Sequence, residues 1–248
     1  MSGPSEPLSE RPVATALARL REDAGAEGWC SLPFFKAGEA DRIAAALDAA
    51  VASGADLAPR PDHIFRALSL TPLDTVRAVI LGQDPYPRRG DAHGLAFSFV
   101  GARAMPPSLR VVLAELAADQ GCPVPPTGDL TGWAREGVLL LNTALTTLVG
   151  APGAHLKLGW AALADEVVAA VSARRPAVAF LLWGASARSR AALIDADRHL
   201  VIESGHPSPL NRARDFPGSR PFSRANAWLV GRGMEPVHWA SSLAKEPR

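Results

Sequence analysis

Four stretches of this 248-residue chain gather side chains that can hold charge, move a proton or read a hydrogen-bonding pattern. They are Gly82-Gln83-Asp84-Pro85-Tyr86, Asn142-Thr143, Gly184-Ala185-Ser186 and Gly205-His206-Pro207-Ser208-Pro209-Leu210. A carboxylate can steady developing positive charge or activate water, an imidazole can exchange a proton or donate a hydrogen bond, and an amide presents one acceptor and one donor side. Each residue also has a plainer reading. Asp84 before a proline caps turns, Asn142 opens a turn after a strand, and His206 is a satisfied loop histidine.

Several familiar chemistries lack their residues. There is no GxGxxG or GxxxxGK[ST], which removes the main support for dinucleotide or P-loop phosphate binding. No HExxH or CxxC occurs and the six histidines are scattered, so neither a metal nor another cofactor is expected. The GxSxG elbow of α/β-hydrolases is absent. Asp84 and Asp91 could form the carboxylate pair of a sugar hydrolase, but Asp91 is expected on a solvated loop.

The elements that must position these residues emerge from the hydrophobic pattern. Val76–Leu81, Val138–Leu141, Val178–Trp183 and Leu200–Ile202 are short apolar runs without alternation, as in strands buried on both faces. Between them lie helical patterns. Ala40, Ile43, Ala44, Leu47, Ala50 and Val51 recur at helical spacing, Trp160, Leu163, Val167 and Val171 share a face, and Pro107–Ala118 and Ala185–Asp195 read similarly. Strands alternating with helices predict an α/β fold, a three-layer α/β/α sandwich around a central four-stranded parallel sheet. In such sheets ligands bind beyond the carboxyl ends of the strands, and each of the four stretches comes just after one of the apolar runs. Residues 1–28 mix Pro, Ser, Gly, Glu and Arg and are expected to be a flexible N-terminal segment with a short helix at Pro12–Asp23. Residues 29–248 are expected to form a single domain.

Composition narrows the setting. Apolar residues make up 48% and charged residues 21% of the chain, wrong for a disordered protein. No apolar run approaches the ~18 residues of a membrane span, and no secretory h-region opens the chain. Two cysteines, Cys30 and Cys122, cannot build a disulfide framework. A cytoplasmic protein without membrane contact is expected. Net charge is +1, yet residues 1–75 carry net −4 and the remainder net +5. That asymmetry permits a polyanionic partner without demanding one.

Three motifs specify more. Val79-Ile-Leu-Gly-Gln-Asp-Pro-Tyr86 with Ala92-His-Gly-Leu-Ala-Phe-Ser98 after it, then Val138-Leu-Leu-Leu-Asn-Thr143, then His206-Pro-Ser-Pro-Leu210 closely resemble the family 1 uracil-DNA glycosylases in order and spacing. The resemblance extends over most of residues 59–240, including Ile64-Phe65-Arg66, Pro106-Pro107-Ser108-Leu109, Gly159-Trp160 and Leu181-Leu182-Trp183-Gly184. It implies an enzyme that flips deoxyuridine out of DNA, hydrolyses the N-glycosidic bond without a metal, releases uracil and starts base-excision repair.

The resemblance also implies roles. Asp84 would steady the oxocarbenium-like sugar and position the attacking water. His206, as a neutral imidazole, would donate to uracil O2 as the base departs as an anion. Asn142 would accept from N3–H and donate to O4, a pattern cytosine reverses. The Tyr86 ring would fill the space of a 5-methyl group, Phe97 would stack on the base, and Gln83 would help shape the pocket. Leu210 would wedge into the vacated stack. Pro107, Ser108, Ser186, Ser208, Arg212 and Arg214 would hold the flanking DNA, with residues 205–224 carrying net +3. The implied partners are uracil-containing DNA, single- or double-stranded, and a DNA-mimicking inhibitor protein; a monomer is expected.

The chain departs from the family pattern at four places. Pro87-Arg88-Arg89-Gly90 stands where His-Gly and a Pro/Gly loop are usual. Gly184-Ala185 replaces Gly-Ser, with Ser186 one position later, which weakens the phosphate contact expected there. Ser204-Gly205 replaces Ala-Pro, and the loop after Leu210 is more basic than usual. Alternatives remain: a glycosylase for another base, such as thymine or hypoxanthine, a non-catalytic binder of damaged DNA, and a hydrolase of small nucleotides.

Overall fold

The computed structural model describes residues 11–243. The chain opens with helices α1 (Pro12–Glu22), α2 (Glu27–Cys30), α3 (Pro33–Lys36) and α4 (Glu39–Ala52), then strand β1 (Leu57–Ala58) and α5 (Arg66–Leu70). Next come β2 (Ala78–Gly82), α6 (Pro107–Gln120), α7 (Thr131–Arg135), β3 (Val138–Asn142) and β4 (Thr147–Leu148). The last third holds α8 (Trp160–Arg174), β5 (Ala179–Trp183), α9 (Ala185–Arg188), β6 (Leu200–Ser204) and α10 (Pro221–Gly231).

The four apolar runs supply one four-stranded parallel sheet in the order β3-β2-β5-β6, and β1 and β4 form a small antiparallel pair beside it. Every residue of β2, β3 and β5 is buried, so helices cover both faces and a three-layer sandwich results. Of the two edge strands, β6 is partly exposed while β3 is wholly buried. The parallel register pairs Ala78 with Val138 and, at the other end, Gly82 with Asn142. Two aromatic clusters fill the flanks. Trp133, Phe222 and Trp239 contact one another with Trp183 alongside, and Phe34, Phe35, Phe65 and Trp160 form the other.

Local chemistry sets the helix bounds. Pro107 at the first position starts α6, where a missing N–H costs nothing, and Gly121 ends it in the left-handed region at φ 63. The pattern over Ala185–Asp195, read as one helix, divides into α9 and a 3₁₀ turn at Ala191–Leu193. The Ser186 carbonyl there accepts from Ser189 Oγ at 2.9 Å and Arg190 Nη1 at 2.7 Å, and these side-chain donors compete with a continued helical ladder.

The expectation of a flexible segment over residues 1–28 is corrected for residues 11–28. Val13, Leu17 and Leu20 of α1 are buried with Trp29 in the common core. Asp48 of α4, itself buried, accepts from Val13 N at 2.7 Å and Ala14 N at 3.1 Å, which satisfies the first turn of α1 from another helix. Residues 1–10 lie outside the described residues. Among the described residues no helix is long and apolar enough to cross a membrane.

Candidate active site

The carboxyl ends of β2 and β3 meet at the Gly82–Asn142 pair, where Thr143 N donates to Gly82 O at 2.9 Å. A Cβ at Gly82 would collide with Asn142 Oδ1, so glycine is required for the amide to lie across the strand end. Asn142 is 7% exposed, and among the described residues its side-chain amide has no hydrogen-bond partner. It borders a cavity of about 310 Å³.

Asp84 stands two residues beyond β2 and lines the same cavity. Its Oδ2 accepts from Gly153 N at 2.7 Å, and Gln83 Nε2 approaches Oδ1 at 3.4 Å. The loop carrying Gly153 is tied to the Asp84 loop at other points. Ala144 N and Thr143 Oγ1 donate to Gln83 O at 2.8 and 3.0 Å, and Gly150 N donates to Pro87 O at 2.7 Å. The carboxylate therefore has a fixed orientation with part of its surface open.

Tyr86 and Phe97 form an aromatic wall. Tyr86 Oη donates to Phe97 O at 3.0 Å, and burial pushes the phenol up to about 12. Phe97 has φ 62, unusual for a residue with a Cβ and unfavourable by about 1–2 kcal/mol. Its neighbour Ser98 holds it there. Ser98 Oγ accepts from Leu130 N at 2.8 Å and meets His93 Nε2 at 2.5 Å, and Arg66 bonds the other ring nitrogen. Burial lowers the His93 pKa to about 4, so the ring is neutral at working pH. An arginine donor at Nδ1 places the proton on Nε2.

His206 stands beyond β6 on the opposite rim. Its ring lies 5.8 Å from the Phe97 ring, which in turn lies 5.3 Å from Trp183. Burial lowers its pKa below the ordinary 6.5 and favours the neutral imidazole. Gly184, at φ 89, passes close beneath; a Cβ there would press on His206 Cβ. The Gly205 departure has a local cause as well. Asn211 and Asp215 bond each other at 2.9 Å directly against Gly205, in space a side chain would occupy.

The cavity thus unites Gln83, Asp84, Tyr86, Phe97, Ser108, Asn142 and His206 from separate stretches of sequence. Pro107, Ser186, Ser208, Leu210, Arg212 and Arg214 lie outside its lining. Leu210 is 88% exposed on a tight loop in which Leu210 N bonds Ser208 Oγ at 3.2 Å. Arg212 and Arg214 are exposed on the same loop, and Ser186 is exposed on the first turn of α9. In the divergent Pro87-Arg88-Arg89 segment, Pro87 lines the cavity, Arg89 pairs with Asp56, and Arg88 is exposed.

The sequence reading missed one residue and misplaced another. Gly153 holds Asp84 across a separation of 69 residues, with no motif to announce it. Asp91 is corrected: it is 3% exposed and ion-paired with Arg103, not on a solvated loop. The charge of a buried aspartate needs a partner, and the local sequence does not name one. Among the described residues no cluster of three or more His, Cys, Asp or Glu could hold a metal ion.

A cavity with aromatic walls and convergent polar groups at the carboxyl ends of a parallel sheet lies where the α/β class of proteins binds its ligands. Comparison with known proteins gives the family. Residues 68–230 match the family model of the Uracil DNA glycosylase superfamily. A uracil-DNA glycosylase of Chromobacterium violaceum is 45% identical over 234 residues, 94% of this chain and 97% of that protein. That of Oleidesulfovibrio alaskensis is 51% identical over 191 residues, 73% of this chain and 81% of its own. A mimivirus UNG variant crystallised in complex with UGI superposes with a TM-score of 0.79 at 25% identity, covering 86% of this chain and 88% of that one. The chain belongs to the uracil-DNA glycosylase superfamily, the membership its three motifs imply.

Proposed function

We propose that the chain hydrolyses the N-glycosidic bond of deoxyuridine in DNA, releasing uracil and leaving an abasic site. The observation that carries this reading is that Asp84, Asn142 and His206, each beyond or at the end of a different strand, line one cavity. Bond cleavage puts positive charge on the sugar and negative charge on the base. Asp84 faces the first and orients water for attack on C1′; its orientation is set in advance by Gly153, so little reorganisation accompanies reaction. Neutral His206 donates to uracil O2 and stabilises the departing anion.

Asn142 reads the base. Its amide accepts from N3–H and donates to O4, and cytosine mismatches both groups. Each mismatch of this buried kind costs about 1–3 kcal/mol. Phe97 stacks on the flipped ring, Tyr86 occupies the 5-methyl space, and Gln83 closes the floor beside Asp84. Leu210 enters the vacated base stack, with Pro107, Ser108, Ser186, Ser208, Arg212 and Arg214 along the phosphate backbone. Both cysteines are free, which fits work in the reducing cytoplasm.

The test is a release assay on oligonucleotides carrying uracil, thymine, hypoxanthine or cytosine at one position, with EDTA present. Uracil alone should be released, and Asp84→Asn should lower the rate by about 10²–10³ without changing the melting temperature. Full turnover by Asp84→Asn would overturn the catalytic assignment. Preferential release of another base would overturn the substrate assignment, and comparable cleavage of free dUMP would favour a nucleotide hydrolase.

A further inference from the structure

Asp91 sits beside the aromatic wall, yet none of the roles above uses it. Its carboxylate is 5% exposed and accepts twice from one guanidinium: Arg103 Nε at 2.9 Å and Arg103 Nη2 at 2.6 Å. Gly101 lets the carboxylate in, since a Cβ there would collide with Asp91 Oδ1. Val100 N donates to the Asp91 carbonyl at 3.1 Å, so backbone and side chain of one residue grip the segment 100–103.

That grip reaches the aromatic wall. The Arg103 guanidinium lies over the Phe99 ring, 5.4 Å from its centroid. Phe99, buried and fixed through Phe99 N to Gly128 O at 2.8 Å, meets the Tyr86 ring edge-on at 6.1 Å and 81°. Tyr86 is thus held from two sides, at its hydroxyl by Phe97 O and along its ring by Phe99. A flat guanidinium held by a buried carboxylate is a stiff backing for Phe99, because the ion pair fixes the plane that rests on the ring.

We infer that Asp91 and Arg103 are positioning residues that set the Tyr86 ring against the C5 edge of the pyrimidine and thereby determine how strictly 5-substituted bases are refused. The inference rests on the proposed placement of uracil against Tyr86. It assigns the pair no contact with DNA or base; the effect passes through Phe99 to Tyr86.

The experiment compares single-turnover release of uracil and thymine from otherwise identical oligonucleotides by wild type, Tyr86→Ala, Arg103→Met, Arg103→Lys and the double variant Asp91→Asn/Arg103→Met. The double variant leaves no buried unpaired carboxylate, so it guards against simple unfolding of Arg103→Met. Tyr86→Ala should gain thymine release. Arg103→Met and the double variant should raise the thymine-to-uracil ratio by about tenfold, with uracil release within about threefold of wild type. Arg103→Lys keeps the charge without the flat face and should fall between. If Tyr86→Ala gains thymine release while both Arg103→Met variants keep the wild-type ratio, the inference is overturned and the pocket reading stands. Equal loss of both activities would also overturn it, reducing the pair to structural support. If Tyr86→Ala gains nothing, the placement of the base against Tyr86 fails and the inference falls with it.

Discussion

Asn142 offers the sharpest residue-level test of the proposed base reading. The residue is buried at the end of β3, and its amide is unpartnered among the described residues. Asn142→Asp removes the donor that uracil O4 requires and supplies a second acceptor, which the amino group of cytosine can satisfy. Uracil release should fall by at least about tenfold and cytosine release should become measurable in the same oligonucleotide assay. His206 carries a pH prediction. Burial disfavours its imidazolium, so its pKa lies below 6.5, and the ring stays neutral as pH falls through 6.5 and gains a proton only in more acidic solution. An imidazole NMR titration, with the His206 signal assigned by its loss in His206→Asn, should place the midpoint below 6.5. A midpoint at or above that value would remove the case for a neutral imidazole as the donor. At this scale the sequence was most legible where motif residues end strands. It was silent where a backbone N–H far along the chain, such as that of Gly153, completes the site.

The loop between β6 and α10 behaves as an element of its own. Its near end continues from the sheet, where Gly184 N donates to Ser204 O at 2.9 Å. Its far end is anchored to α6, where Glu115 accepts from Gly218 N at 2.6 Å and Arg220 N at 2.8 Å, and Asp119 accepts from Phe222 N at 2.9 Å and Ser223 N at 2.8 Å. Both ends are therefore pinned while Leu210 stands out. Leu210→Ala removes little packing, so the melting temperature should stay within about 1 °C of wild type. Release from duplex DNA should drop more than release from single strands, which have no stack to enter; equal losses on the two substrates would remove the wedge role. Arg212→Ala should reduce the dependence of log K on log salt by about one unit in a binding titration, as loss of one phosphate contact does. The apolar runs announced the sheet because they have no polar side to confuse the period. The anchoring of this loop joins residues more than a hundred apart, and no local pattern encodes it.

Across the whole molecule, the histidines His63, His93, His155, His199 and His206 all titrate below their ordinary value, each chiefly because of burial. The unfolded chain then binds more protons than the folded one between the folded values and 6.5, so stability must fall as pH drops through that window. His93, lowered to about 4 chiefly by burial, contributes in this direction. Urea denaturation at pH 7 and pH 5 should show the acid sample less stable, and a His93→Asn protein should show a shallower pH dependence. The same scale explains why residues 11–28, whose helix at Pro12–Glu22 was expected, are packed in place and not flexible. Their composition is loop-like, but α1 is held by a carboxylate on α4 and by core contacts that only the assembled fold provides.

The pairing of Gly82 with Asn142 places that amide on the ladder between the inner strand β2 and the edge strand β3. A slip of one residue would turn the amide to the other face, so its direction is set by strand register and not by the conformation of a surface loop. At position 82 even a methyl group would meet the amide oxygen, so any side chain placed there demands a different residue at position 142.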